Sequence, residues 1–257
     1  LAISEARKQD VVNLLGVEPD RIFVTPLAVS ENFAARDLSP GNWREEAAQK
    51  RRLLALPVEN PILLYVGGID PRKNVPFLLR VFAEVLRVWP HRNRPLLVLV
   101  GKHENDDQLP QLLKEAERLE ITANLRRPGF VPDELLRSYY QCADAVVFPS
   151  LYEGFGLPVL EAMACGVPVV AGKNSSIPEV AGIDSAILCE DGNISEWVSA
   201  VSALLADPSK QLDLSRRGVR QARRYSWMNT ACLTVEAYRC LLPKGSAKST
   251  HVLPGAI

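Results

Sequence analysis

Features typical of membrane-spanning and nucleic-acid-binding proteins are lacking in this sequence. None of its apolar runs approaches the roughly 20 residues of a membrane-spanning helix. The 30 lysines and arginines balance 30 aspartates and glutamates, so the formal net charge is zero and the basic excess of a nucleic-acid-binding protein is missing. A small anion can still bind, because its recognition requires only a few local positive charges.

Cysteine and histidine are also scarce, with five and three residues. The cysteines are odd in number and form no Cys-x-x-Cys pair, which argues against a disulfide framework and against a structural zinc site. We expect most of these thiols to be small buried hydrophobes in a reducing compartment. The predicted location is cytoplasmic, with at most a peripheral contact at the inner face of the membrane.

What is present is the composition of a globular protein, with 257 residues of which 47% are hydrophobic and 23% charged. This length allows one large domain or two small ones, and a core of this size needs no disulfides. The chain begins at Leu1 rather than at a methionine, and its first residues do not form a signal peptide. We therefore expect it to be a piece of a longer protein.

From Pro61 onward, short apolar segments alternate with longer amphipathic ones. The predicted strands are 62–66, 96–100, 125–128, 145–148, 167–170 and 186–188, and the predicted helices are 75–88 (with Asn74 as its N-cap), 109–119, 133–142, 157–164, 178–181, 194–206, 208–224 and 227–242. Before Pro61 we predict helices over 4–15 and 43–54, a short strand over 22–25, and an irregular linker or boundary over 30–60. Apolar strands that alternate with helices predict a doubly wound parallel sheet, whose strand-to-helix loops lie along one edge, where ligands bind.

One of these loops combines two glutamates with glycines. Glu153 and Glu161 are separated by Gly-Phe-Gly-Leu-Pro-Val-Leu, so that Glu153 lies in the loop and Glu161 in the following helix. Gly154 and Gly156 leave backbone N–H groups uncrowded beside a helix N-terminus, which favours a bound anion, and the two carboxylates can accept hydrogen bonds from sugar hydroxyls. The alternative is a tight loop with a charged helix start, and the motif alone does not decide between the two.

Two cations, Arg72 and Lys73, follow the first strand of the sheet and so lie on the same predicted edge. Together they can neutralise a diphosphate. A lone Arg-Lys pair is more often a solvated basic turn. Because Arg72 and Lys73 lie on the same predicted edge as the loop around Glu153, an anion-binding site is favoured here.

Two longer segments resemble a known family. Tyr-Val-Gly-Gly-Ile-Asp-Pro-Arg-Lys-Asn, over 65–74, resembles the first loop of the donor-binding domain in retaining GT-B glycosyltransferases of family 4, and the segment 148–170 contains that family's Glu-x7-Glu signature. Residues 176–180 and 225–227 are similar to further motifs of the family. The resemblance covers about residues 20–242 and implies the C-terminal half of a GT-B fold, with a Rossmann-like doubly wound parallel sheet.

The resemblance also implies roles for individual residues. The diphosphate of the donor would be held by Arg72 and Lys73, and the ribose by Glu161. The predicted catalytic residues are Glu153, Arg72 and Lys73. The transferred sugar would be contacted by Glu153 and by the backbone of Gly154, Phe155 and Gly156. The Leu157 N–H would contact a phosphate, and Gly67 and Gly68 would line the nucleotide sugar in the first loop. Phe130 and Val131 would lie beside the base. The implied partners are a nucleoside diphosphate sugar and a saccharide or lipid-linked acceptor, with no metal and no cofactor.

The first loop departs from the family at one position. Many members have Gly-Arg where this chain has Gly67-Gly68. We expect Arg72 to take over the contact with the phosphates, as in members with a Pro-Arg-Lys-Asn loop. Such members often transfer mannose, so GDP-mannose is the expected donor, with polysaccharide biosynthesis as the expected setting. A nucleotide-sugar epimerase and a non-catalytic nucleotide-sugar-binding module stay open as alternatives.

The predicted organisation has three parts. Residues 1–57 would be the end of an N-terminal acceptor domain and a linker, residues 58–242 the donor-binding domain, and residues 243–257 a flexible tail. The rest of the acceptor domain would be missing, so we expect this chain to bind donor but to transfer little sugar by itself.

Other candidates are weaker. The segment 103–107, His-Glu-Asn-Asp-Asp, is more typical of an acidic approach to a helix than of a metal site. A basic stripe over 216–224 is interpreted as a solvated face, with a membrane or partner contact as the alternative. Trp197 and Trp227 are interpreted as packing anchors.

Overall fold

A parallel sheet of six strands, in the order β3-β2-β1-β4-β5-β6, forms the centre of the computed structural model, which describes residues 1–39 and 41–241. All pairings between neighbouring strands are parallel. The strands are Ile62–Val66 (β1), Leu96–Val100 (β2), Leu125–Gly129 (β3), Ala145–Phe148 (β4), Val169–Gly172 (β5) and Ile187–Cys189 (β6). This architecture confirms the predicted doubly wound, Rossmann-like sheet.

Helices cover both faces of the sheet, as the fully buried β1, β2, β4 and β5 require. The helices are Glu5–Leu15 (α1), Asn42–Leu53 (α2), Val75–Val88 (α3), Leu109–Arg118 (α4), Asp133–Cys142 (α5), Leu157–Ala164 (α6), Ile177–Ala181 (α7), Ile194–Ala206 (α8), Pro208–Ala222 (α9) and Trp227–Arg239 (α10). All ten predicted helices are therefore confirmed, four of them with the predicted bounds and the other six with ends shifted by one to three residues. The predicted tail, 243–257, lies outside the described residues.

Three local predictions are wrong. Residues 22–25 form no strand, because Val24 makes only an isolated bridge with Ala2. The strand predicted from Val167 begins at Val169, since the Val167 N–H closes the end of α6 on Ala162 and Pro168 has no N–H to give. Asn74 precedes α3 but does not cap it with its side chain, which instead donates to the Pro149 carbonyl at 3.3 Å.

Two buried arginines fasten the segment before β1 to the sheet domain. The Arg36 guanidinium donates to the carbonyls of Gln141, Ala143 and Gly166, and burial lowers its pKa to about 10. Arg51, on α2, pairs with Asp144 at 2.7 Å, and the same carboxylate accepts the first amide of β1. The irregular region before residue 58 is thus packed against the domain, while the proposed division into parts stays a prediction.

The thiols follow the expectation for small buried residues. Cys142, Cys165 and Cys189 are buried, and burial raises the pKa of each to about 12. Cys232 and Cys240 are exposed. Across residues 1–39 and 41–241, none of the helices is long and apolar enough to cross a bilayer.

Candidate functional site

The strand order reverses between β1 and β4, and the loops that follow these two strands meet there. In open α/β sheets such a reversal opens a crevice at the carboxyl ends of the strands. The backbone N–H of Leu151, after β4, donates to the Arg72 carbonyl, after β1, at 2.8 Å. Both sequence segments that resembled the family are therefore brought together at one place.

The central contact of the site is a buried ion pair between Lys73 and Glu153. Lys73 Nζ lies 2.6 Å from Glu153 Oε1, and the two side chains are 13% and 9% exposed. The ammonium group also lies over the Phe148 ring, 5.6 Å from its centroid. A buried cation of this kind requires a fixed partner, and its position on the ligand-binding edge makes it available to a second anion.

Three serines hold Glu153 in place. Ser150 Oγ donates to the same Oε1 at 2.6 Å. The Glu153 N–H donates to Ser175 Oγ at 2.9 Å, and Ser176 Oγ donates to the Glu153 carbonyl at 3.1 Å. The side chain and backbone of Glu153 are both fixed, so its carboxylate has one defined orientation in the crevice.

Next to this pair, the N-terminus of α6 presents unpartnered amides. Gly156 occupies the N-cap position with φ of 99°, and a Cβ there would lie 2.6 Å from Ile177 Cδ1. Within the described part of the chain, no hydrogen bond is made by the backbone N–H groups of Gly154, Phe155, Gly156 and Leu157. Free amides at the positive end of a helix dipole form a site for an anion.

Arg72 differs from Lys73 in being solvated. It lies in the 3-10 turn Pro71–Lys73, is half-exposed, and its Nε is 3.4 Å from Asp70 Oδ1. Such an exposed pair is weak and leaves the guanidinium able to turn toward another anion. The structure thus places both predicted cations beside the crevice, one fixed and one adaptable.

Glu161 lies one turn into α6 and is held by a buried tyrosine. Tyr140 Oη donates to Glu161 Oε2 at 2.7 Å. Burial raises the pKa of the Glu161 carboxyl, the nearby Asp133 adds to this effect, and the bond from Tyr140 opposes it. The other carboxylate oxygen makes no hydrogen bond to the described residues, so it can accept one from a ligand hydroxyl.

The ends of β1 and β2 approach so closely that glycine is required. A Cβ on Gly101 would lie 2.1 Å from the Gly67 carbonyl oxygen. The same carbonyl is 2.7 Å from Nε2 of the buried His103, and the Tyr65 hydroxyl donates to the Gly68 carbonyl at 2.5 Å. His103 therefore shapes the loop at Gly67 and Gly68.

The segment that follows His103 is an approach to a helix, as favoured from the sequence. Asp106 Oδ1 accepts the Gln108 N–H just before α4. No group of three or more metal-ligating side chains is found among the described residues.

The two residues expected beside the base differ in exposure. Val131 is buried in the core, whereas Phe130 is 71% exposed at the ligand-binding edge. Only the backbone of Val131 is therefore available to a ligand, while Phe130 offers a ring face.

Sequence reasoning missed a contact between α1 and the site loop. Ser4 caps α1 and its Oγ also donates to the Gly154 carbonyl at 2.8 Å. The Glu179 carboxylate accepts the N–H of Glu5 at 3.0 Å, and Arg7 donates to the Tyr152 hydroxyl. The helix over 4–15 was predicted from the sequence, but this contact between residues 150 positions apart was not.

The chain is similar to several known proteins. O-antigen chain mannosyltransferase B of Escherichia coli is 34% identical over 94% of this chain and 60% of its own length. Sucrose-phosphate synthase of Thermosynechococcus elongatus has a similar fold, with a TM-score of 0.78 at 24% identity over 93% of this chain and 57% of its own. Anabaena HepE in complex with UDP-glucose has a TM-score of 0.76 at 20% identity, covering 93% and 62%.

This chain therefore spans less than two thirds of the length of each of these proteins. Its residues 46–221 match the family model described as Glycosyl transferases group 1. That match covers more than half of the chain and includes Lys73, Glu153 and Glu161. The chain belongs to the group 1 glycosyl transferases.

Proposed function

We propose that this chain binds the nucleotide-sugar donor of a retaining glycosyltransferase of family 4 and, as part of the complete enzyme, transfers the sugar to a saccharide or lipid-linked acceptor. One observation carries the proposal. At the reversal between β1 and β4, the buried Lys73–Glu153 pair lies beside four backbone N–H groups without a described partner. A fixed cation next to a helix N-terminus is suited to a diphosphate.

The diphosphate is proposed to occupy the space between Lys73, Arg72 and the start of α6. Lys73 contributes a point charge in a largely dry environment, where its attraction for phosphate is strong. Arg72 is solvated when no anion is bound and can supply a forked contact to phosphate oxygens. The Leu157 amide, the first of α6, supplies a directed N–H.

The sugar parts of the donor are proposed to lie on either side of the diphosphate. Glu161 would accept a hydrogen bond from a ribose hydroxyl through the carboxylate oxygen that Tyr140 leaves unused. Glu153 and the backbone of 154–156 would contact the transferred sugar. The Glu153 carboxylate is oriented by Ser150, so its contact with a sugar hydroxyl would be directional.

In the proposed reaction, the bond between the anomeric carbon and the diphosphate oxygen breaks, and its electron pair leaves with the nucleoside diphosphate. The acceptor oxygen bonds to the anomeric carbon with retained configuration, and its proton passes to the departing diphosphate oxygen. Negative charge therefore develops on the diphosphate in the transition state. Lys73, Arg72 and the α6 amides stabilise that charge, and removing one such group from an enzyme site raises a barrier by about 3 kcal/mol. The proposal includes no metal.

The proposed donor is GDP-mannose. The loop Pro-Arg-Lys-Asn supports mannosyl transfer, as does the name of the mannosyltransferase B relative. The structurally similar HepE is in complex with UDP-glucose instead, so the fold alone does not determine the base. The base must therefore be measured directly.

A calorimetric titration with GDP, UDP and ADP tests the proposal. We expect one of them to bind, and we expect Lys73→Met to weaken that binding by about 10-fold or more. Lys173→Met removes a similar charge from an exposed pair with Glu190 and should leave the affinity unchanged. If none of the nucleotides binds, or if both variants bind like the parent chain, this is not a donor site. Release of an epimerised nucleotide sugar by the full-length enzyme without acceptor would instead favour an epimerase.

A further inference from the structure

The turn after β2 places a carboxylate against the loop after β3, and the proposed reaction does not use it. Glu104 is exposed, and its Oε2 accepts the His103 N–H at 3.1 Å. Its Oε1 lies over Gly129, where a Cβ would be only 2.1 Å away. Within the part of the chain that the structure describes, Oε1 accepts no hydrogen bond. One oxygen of this carboxylate is therefore free for a ligand while the other is held by the turn.

Beside this carboxylate is an exposed aromatic ring. Phe130 directly follows Gly129 and is 71% exposed, whereas the other six phenylalanines are buried or partly buried. An exposed aromatic side chain on a ligand-binding edge is a stacking platform for a planar base. Phe130 and Glu104 are brought together because β3 and β2 are neighbours in the sheet.

We propose that Glu104 reads the edge of the donor base and selects guanine, while Phe130 stacks on the base. This inference rests on the proposed donor site and deepens it. Guanine presents two adjacent donors, its ring N–H and its exocyclic amino group, which match the two oxygens of a carboxylate. Each carboxylate oxygen can accept more than one hydrogen bond, so the contact of Oε2 with His103 is retained.

The other common bases fit this carboxylate less well. Uracil presents one N–H between two carbonyl oxygens, which repel a carboxylate. Adenine presents an amino group beside an acceptor nitrogen. Glu104 is therefore a specificity residue rather than a catalytic one, because it acts on the base and not at the reacting bond.

The alternative role for Glu104 is structural, since its carboxylate also closes the turn on the His103 N–H. Glu104→Gln separates these roles, because glutamine has the same size and keeps an oxygen for that N–H. Asp107→Asn, in the same segment and also exposed, is the matched control for loss of a negative charge.

The experiment compares the affinities of GDP, UDP and inosine diphosphate, which is GDP without the exocyclic amino group. We expect the parent chain to bind GDP about 10-fold more tightly than inosine diphosphate, as a bidentate contact to a base edge implies. In Glu104→Gln this ratio should fall below about twofold, while Asp107→Asn should keep it.

The outcomes separate the two proposals. If the parent chain binds a nucleotide but does not distinguish GDP from inosine diphosphate, or if Glu104→Gln keeps the parent ratio, Glu104 does not read the base and the donor site stands. If none of the three nucleotides binds, the donor site itself fails, and the role of Glu104 fails with it.

Discussion

Two lysine–glutamate pairs in this chain differ in burial, and this difference determines what each pair does. The Lys73–Glu153 side chains are 13% and 9% exposed, while those of Lys173–Glu190 are 57% and 61% exposed. In the buried pair, each charge has lost most of its water and depends on the other. In the exposed pair, water can solvate the remaining charge when either partner is removed.

Removing one member of the buried pair should destabilise the fold. We expect Lys73→Met to lower the free energy of unfolding by about 3–5 kcal/mol, because the Glu153 carboxylate is left without its cation. Lys173→Met should change it by about 0–1 kcal/mol. Urea denaturation measures both. Equal effects of the two substitutions would mean that the buried charge of Glu153 is satisfied by Ser150 alone.

Glu161 is predicted to be adapted to binding at the expense of stability. Its pKa is raised by burial, so as the pH increases the unfolded chain loses this proton first. Stability therefore falls as the pH rises through the window between the ordinary and the raised pKa, and the penalty persists at higher pH. Glutamine can accept the Tyr140 bond without that penalty.

We expect Glu161→Gln to unfold at a higher urea concentration than the parent chain at about pH 7, and the difference to shrink at about pH 3, below the ordinary pKa of a glutamate, where the carboxyl is protonated in both states. Glu117→Gln, at an exposed helical position, is the control for the same substitution outside the site. A destabilised Glu161→Gln at neutral pH would show that the charged carboxylate is favoured in the folded protein.

At the scale of elements, the start of α6 depends on one glycine. Gly156 has φ of 99° and its missing Cβ would be 2.6 Å from Ile177 Cδ1, so a side chain there adds a clash to backbone strain. Gly192 has a similarly positive φ of 75° but open space around the Cβ position. A substitution at Gly192 therefore tests backbone strain alone, whereas one at Gly156 tests backbone strain together with a side-chain clash.

We expect Gly192→Ala to lower the free energy of unfolding by about 1–2 kcal/mol, through strain alone. Gly156→Ala should lower it further and should also weaken nucleotide binding, because α6 must shift away from Ile177. Thermal unfolding and a nucleotide titration measure these effects. If Gly156→Ala binds nucleotide as the parent chain does, the start of α6 is not in contact with the ligand.

Most elements were predictable because their local pattern and their packing agree. β1, β2 and β4 are apolar along their whole length and are buried on both faces, so their bounds were predicted correctly. The errors occur where contacts between residues far apart in the sequence determine the local structure. Residues 22–25 have strand-forming side chains but only Ala2 to pair with, and Trp227, expected to be an anchor, is 51% exposed.

The candidate site was predictable in its residues but not in its contacts. The loops after β1 and β4 carry recognisable motifs, so Lys73, Glu153 and Glu161 were identified from the sequence. Nothing local to Glu153 shows that its cation lies 80 residues earlier, or that serines 150, 175 and 176 orient it. Such partners depend on the strand order, which places β1 beside β4.

At the scale of the whole molecule, the segment before β1 and the sheet share buried polar contacts. Arg36 satisfies three carbonyls at the ends of α5 and α6, and Arg51 pairs with Asp144. Buried carbonyls and carboxylates that lose such donors are costly to the folded state. The sheet domain and residues 30–57 should therefore unfold as one cooperative unit.

Two truncated chains test whether residues 30–57 and the sheet domain unfold as one cooperative unit. A chain that begins at residue 58 lacks both arginines, whereas one that begins at residue 30 keeps both and loses only α1 and the residues that follow it. We expect the 30–257 chain to retain most of the parent's urea midpoint and the 58–257 chain to lose about 3 kcal/mol or more, since Asp144 would be left without its cation. Coincident midpoints for the two truncated chains would instead place the boundary of the folding unit at residue 58, because Arg36 and Arg51 would then contribute nothing to its stability.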